Sequence, residues 1–242
     1  MDHAAASRRR RPWRRLHAGL GLALSVAALA CSTAASGARF VTVPSGRDDL
    51  ALFAMLGGIE GGETLELTRL VSLLPPSQSV AVLLNSPGGN LQEGIELGRF
   101  LYKTRIATFT LGDGGSCASA CAIAFLGGRD RQGRPSRTML TNSRLGFHQF
   151  RPIYNGDAEA LRFTKTQMEE RAVRTHRVIL NIIAYLNEIS EDLGKLDLML
   201  AAPTEAIRNV TKEEASTLGF NVLSERSTAL IDASNIRSRV ER

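Results

Sequence analysis

The chain is poor in the side chains that most readily announce a binding chemistry. Among 242 residues it has three cysteines, four histidines and one tryptophan, and aromatics make up 5%. So few aromatics exclude the stacking platform that single-stranded nucleic acid requires. Past residue 38 only His148 and His176 remain of the histidines, and only Cys117 and Cys121 of the cysteines. That set does not complete a structural zinc site, and no metal or cofactor is expected. There is no internal repeat, and past residue 38 no run is long and apolar enough to span a membrane. Positive charge is scarce too, once its location is considered. The formal net charge is +6, but Arg8, Arg9, Arg10, Arg11, Arg14 and Arg15 all precede residue 38, offset there only by Asp2. The remainder carries 24 Lys and Arg against 23 Asp and Glu, a net +1. A nearly neutral body excludes nucleic acid as a partner.

The N-terminal charge has another explanation. RRRRPWRR is followed by LHAGLGLALSVAALACSTAASGA, which is uncharged, apolar and ends in small residues. Basic, apolar and small-residue regions in that order make a secretory signal, with cleavage after Ala30 or near Ala38. The alternative is an uncleaved transmembrane anchor over residues 1–38, since the apolar stretch approaches spanning length. Either reading exports residues 39–242, as one domain, to the periplasm or another extracytoplasmic space. An oxidising compartment permits Cys117 and Cys121 to pair. Four apart in a helix, their Cα atoms lie roughly 6 Å apart, near the upper end of disulfide geometry. A bond is feasible if Cys117 falls just outside the helix; otherwise both are small buried thiols.

Hydrophobic patterning predicts strand 38–45, a strand and amphipathic helix within 50–76, buried strand 79–89, helix LQEGIELGRFLYKT and strand 105–112. Strand and helix alternating at these lengths predict βαβ units and a mainly parallel sheet. Residues 128–144, rich in Arg, Gly and Ser, predict a surface excursion before the short strand LGFHQF. From Asp157 to about Ile189 no Gly or Pro interrupts a helical pattern of unusual length. Such a helix projects and needs a second surface to cover it, which predicts self-association. The tail predicts a short strand, a helix opened by Thr211 with Glu214 as capping-box partner, and a last strand.

Serine nucleophiles need a base within reach and donors aimed at the developing oxyanion. His176 lies mid-helix and reads as packed or solvated. His148 ends a short apolar strand, where functional side chains are often displayed. Ser119 follows Gly114-Gly115 and opens a helix of small residues; it either caps that helix or uses its unpaired N–H groups. The NSPGG turn at 85–89 offers further close backbone.

LLNSPGG before a helix, CASACAIAFLGG some thirty residues later and NSRLGFHQF after that resemble, in order, the proteolytic subunit of the Clp protease family. The resemblance runs from about residue 52 to 222 and includes the long helix and EEASTLGF. It implies a crotonase-like α/β fold of stacked βαβ units with a projecting handle helix, about 157–189, through which subunits assemble. It implies a serine-type endopeptidase acting on peptides or unfolded segments through an acyl-enzyme. Ser119 is then nucleophile, His148 general base, and the N–H groups of Gly89 and Ala120 the oxyanion hole. The family's triad acid falls on Ile207, which cannot orient an imidazole. Glu205 takes the role if the strand start shifts; Asp197 and a backbone carbonyl are the alternatives. The family's ATP-driven unfoldase is not expected as partner outside the cytosol. Two other readings remain: a non-catalytic oligomeric scaffold of the same fold, and an acyl-CoA enzyme of the crotonase type.

Overall fold

The computed structural model describes residues 37–112, 114–150, 163–202 and 206–223. Apart from Gly37 and Ala38, the predicted signal or anchor segment lies outside them, as does Glu205. The elements run β1 (Arg39–Val43), β2 (Leu50–Leu56), α1 (Glu63–Ser72), β3 (Ser79–Asn85), α2 (Leu91–Thr104), β4 (Ala107–Thr110) and β5 (Ser116–Ala118). There follow α3 (Ala120–Phe125), β6 (Arg137–Leu140), β7 (Arg144–Phe147), α4 (Lys165–Glu188), α5 (Lys195–Leu200), β8 (Arg208–Asn209), α6 (Lys212–Thr217) and β9 (Asn221–Leu223). They build a mixed α/β fold with two sheets. The larger has the order β1-β2-β3-β4-β6-β9 and is parallel except for β1. The smaller is β5-β7-β8, with β5 parallel and β8 antiparallel to β7.

The apolar run of β3 is explained by its central position. Val82 and Leu84 face the main core, whereas Ala81 and Leu83 join Leu52, Ala54 and Leu140 on the opposite face. A strand covered on both faces has no polar alternation to show. α2 starts where the Asn90 side chain accepts the N–H groups of Gln92 and Glu93. Its buried Gly94 lets α3 close in, since a Cβ there would stand 2.5 Å from the Ala120 carbonyl oxygen. The small residues of α3 are thus matched by small residues on its neighbour.

The long helix begins later than expected. Residues 157–162 lie outside the described set, and the helix starts at Lys165 rather than Asp157. Thr164 caps it in a reciprocal capping box with Gln167. Its C-terminal end is anchored: Ile182, Tyr185 and Leu186 are buried, and Tyr185 Oη donates to the Ile123 carbonyl at 2.9 Å. Burial pushes the Tyr185 phenol above its ordinary pKa, so it remains a donor. Toward the other end Met168 and Val173 are exposed, as is Leu180.

Residues 128–144 are not a simple surface excursion. They contain β6, buried along its length, and the buried Arg129 and Arg137. What brings two arginines inside is Glu191, just past α4. Its carboxylate lies 3.3 Å from Arg129 Nη2, 2.5 Å from Arg137 Nη1 and 2.7 Å from Lys195 Nζ. Tyr102 and Phe220 present ring faces to Arg129 and Arg137, at 4.9 and 5.5 Å.

Candidate active site

Three strand ends meet where the two sheets join. Ser86, just past β3, pairs in parallel with Cys117 of β5: the Ser86 N–H donates to the Ser116 carbonyl at 2.7 Å and the Ala118 N–H to the Ser86 carbonyl at 3.0 Å. β5 in turn pairs with β7, with Ala118 opposite Gly146. The chain therefore leaves all three strands side by side, at Pro87, Ser119 and His148.

Ser119 forms a sharp turn between β5 and α3. Its backbone sits at φ 57°, ψ −123°, a region that non-glycine residues rarely occupy. The turn is held from both sides, because the Ser119 N–H donates to Gly146 at 2.9 Å and its carbonyl accepts from the Ile123 N–H at 3.1 Å. The side chain does not cap α3. Of the two sequence readings of Ser119, capping therefore lacks its hydrogen bond. Among the described residues Ser119 Oγ makes no hydrogen bond, to His148 or to any other group.

Gly88 backs this turn. A Cβ on it would lie 2.5 Å from the Ala118 carbonyl oxygen, 2.6 Å from Ser119 Cβ and 2.9 Å from the Ala120 nitrogen. Its φ of 92° also requires glycine. Gly88 and Asn90 bracket Ile59 in a parallel bridge, through Ile59 N–H to Gly88 O at 2.8 Å and Asn90 N–H to Ile59 O at 2.7 Å. In such a ladder the intervening residue turns its own N–H the other way. The Gly89 N–H accordingly points away from Ile59 and meets no acceptor among the described residues. The Ala120 N–H, first in α3, also meets none, as expected for a helix start. With only six residues α3 has little dipole to offer, so the direction of the N–H itself matters.

His148 is half-buried directly after β7, and its Nδ1 lies 2.6 Å from the Gln149 carbonyl oxygen. With Nδ1 protonated and donating there, Nε2 carries the lone pair. Gln149 is itself fixed: its Nε2 donates to the Leu200 carbonyl at 2.6 Å and its N–H to the Ala202 carbonyl at 3.2 Å. No carboxylate is bonded to the imidazole among the described residues. β8 pairs with β7 through Gly146–Asn209 and Phe147–Arg208, so the next pair in register is His148–Ile207. The residue that would follow in that register is aliphatic, and its Cγ2 stands against the open side of Gly146. Asp197 is exposed on α5, and Glu214 is engaged by Arg208 at 2.5 Å and by the Thr211 cap. The Thr211 N–H bond, followed by the Arg208 charge, holds the Glu214 carboxyl below its usual range.

Cys117 and Cys121 are joined by a disulfide, with Cα atoms 5.2 Å apart. Cys117 ends up in β5 and only Cys121 in the helix, the arrangement in which such a bond is feasible. Gly88 and the Gln149 carbonyl are the parts of the constellation that sequence reasoning did not single out. The SPGG turn contained the first; nothing in the sequence marks the second. His176 sits exposed on α4. A groove of about 520 Å³ lies over the other face of the large sheet, lined by Leu52, Val80, Phe109 and Leu223 among others, and includes none of these residues. The strand ends, rather than that groove, hold the candidate chemistry. Among the described residues no helix is long and apolar enough to cross a membrane.

Against known proteins, the family model for Clp protease matches residues 64–209, more than half of the chain. No curated protein matches the chain. The matched span includes Gly89, Ser119, His148 and Ile207.

Proposed function

The chain belongs to the Clp protease family, and from that premise we propose that it is a serine-type endopeptidase working as a Ser119–His148 dyad oriented by a backbone carbonyl. His148 Nε2 accepts the Ser119 Oγ proton as Oγ attacks the peptide carbonyl carbon. The oxyanion is met by the N–H groups of Gly89 and Ala120, neither of which has an acceptor to give up among the described residues. The proton then passes to the departing amine, leaving an ester on Ser119. Water, deprotonated by His148, hydrolyses that ester and restores the enzyme.

With no carboxylate bonded to the imidazole among the described residues, the Gln149 carbonyl accepts the Nδ1 proton and fixes the working tautomer. A carbonyl stabilises the imidazolium less than a carboxylate does, so this enzyme is expected to be slower than one with a complete triad. The observation that carries the reading is the Ser119 turn: a serine in a sparsely populated conformation, free of a side-chain capping bond, with two N–H donors nearby that meet no acceptor among the described residues.

Export to an extracytoplasmic space belongs to the same proposal, as do peptide or unfolded substrates and assembly through α4, on which Met168, Val173 and Leu180 are uncovered. Signal cleavage after Ala30 suits the fold better than cleavage at Ala38, because the Ala38 N–H is bonded to the Glu63 carboxylate at 3.2 Å.

Hydrolysis of an unstructured peptide by the purified domain tests the reading. Ser119→Ala and His148→Ala should each lower kcat by at least about 10³-fold. Equal turnover in all three proteins would refute it. Ile207 beside His148 favours one second reading, a scaffold that has kept the fold and lost catalysis. Wild-type protein that assembles yet turns over no peptide would support that alternative.

A further inference from the structure

We infer that the Cys117–Cys121 disulfide is a positioning element of the nucleophile turn, an inference that rests on Ser119 being the nucleophile. The bond closes a ring around Ala118, Ser119 and Ala120 alone. That ring encloses the attacking oxygen and one of the two oxyanion donors, and no other residue of the proposed site.

A covalent tie across five residues removes less freedom from the unfolded chain than one closing a longer loop. Both cysteines are buried in the main core, a place where free thiols are also common as small apolar groups. The particular contribution of the bond is local: it fixes the angle between the end of β5 and the first turn of α3.

Ser119 has two easy ways to leave its unfavourable dihedrals. It can extend β5 by one residue or lengthen α3 by one residue backwards, and either swings Oγ and the Ala120 N–H to new directions. Gly88 against the turn and the two backbone hydrogen bonds of Ser119 oppose these shifts from outside. The disulfide opposes them from within, since either shift alters the Cys117–Cys121 separation. Sparsely populated backbone persists only where its surroundings over-determine it.

The test compares oxidised protein, protein reduced by a dithiol, and the double variant Cys117→Ala/Cys121→Ala. Reduction delivers two electrons and two protons to the bridge, giving two thiols while the dithiol closes to its cyclic disulfide. Steady-state peptide hydrolysis is measured alongside amide hydrogen exchange. In the reduced protein and the variant, kcat should fall about tenfold or more with KM unchanged, because small displacements of reacting groups carry large rate penalties. Exchange should quicken at the hydrogen-bonded N–H groups of Ala118 and Ser119 and not through the rest of the core, and re-oxidation should restore the wild type but not the variant.

Unchanged kcat and unchanged exchange would overturn the inference. So would a loss of activity accompanied by faster exchange throughout the core, which would make the bond merely structural. Oxidised wild type that hydrolyses nothing would count against the peptidase reading instead, while exchange at Ala118 and Ser119 would still decide whether the bond holds the turn.

Discussion

Gly88→Ala is expected to silence peptide hydrolysis by roughly a hundredfold or more, the scale on which small misplacements of a nucleophile act. The added methyl would meet the Ala118 carbonyl oxygen at 2.5 Å and Ser119 Cβ at 2.6 Å. Both are parts of the nucleophile turn, so relief can come only by moving that turn or the Gly88–Gly89 loop. Moving the loop redirects the Gly89 N–H; moving the turn redirects Oγ and the Ala120 N–H. Each outcome damages one half of the proposed machinery. Backbone strain alone, from alanine at a φ of 92°, adds about 1–3 kcal/mol of destabilisation. Gly133→Ala separates the two effects, because Gly133 has a comparable φ of 81° and open space around its missing Cβ. That control should lose some stability and keep its activity. Equal activity in Gly88→Ala and wild type, measured as kcat/KM, would mean that the turn does not carry the reaction.

Glu191→Gln should be the most destabilising conservative change in the body of the fold. One carboxylate there serves Arg129, Arg137 and Lys195, all buried. Without it three cations remain together away from water, and breaking a buried pair in this way costs about 3–5 kcal/mol. That is a large share of the roughly 5–15 kcal/mol that holds a domain folded. For a chain of this size it corresponds to a fall in Tm of roughly 6–20 °C by calorimetry. The same residue predicts acid sensitivity. Burial by itself would raise the Glu191 pKa, but the ion pair with Arg137, then that with Lys195, outweighs it and leaves the carboxyl below its ordinary value. A group depressed in the folded state stabilises fully above its unfolded pKa, about 4.3 for glutamate, and loses that contribution as pH falls toward the folded value. Urea midpoints of the wild type should therefore drop below about pH 4.3. In Glu191→Gln that part of the acid dependence should be missing.

Much of the fold could be read from local pattern because local pattern caused it. β3 is an apolar run since both its faces are covered, and α6 opens at Thr211 because a threonine followed three residues later by glutamate satisfies two N–H groups. Thr164 with Gln167 is the same signature, and marks the true start of α4. Residues 128–144 were opaque for a different reason. Arginines among glycines and serines look solvated until a carboxylate more than fifty residues away is brought between them. The candidate site shows the same division. Ser119, His148 and the glycine turn stand in recognisable motifs. The dihedrals of Ser119, the register that brings Ile207 beside His148 and the carbonyl that takes up Nδ1 all arise from tertiary pairing between strands. No spacing in a single sequence encodes them.

The most direct test of Ser119 as the nucleophile is covalent. Purified protein is incubated with a fluorophosphonate, which phosphonylates an activated serine hydroxyl with loss of hydrogen fluoride, and the adduct is located by peptide mass mapping. A Ser119–His148 peptidase predicts one adduct, on Ser119, absent from Ser119→Ala and formed far more slowly in His148→Ala. An adduct formed equally in wild type and Ser119→Ala, or no adduct on folded wild-type protein, would contradict it.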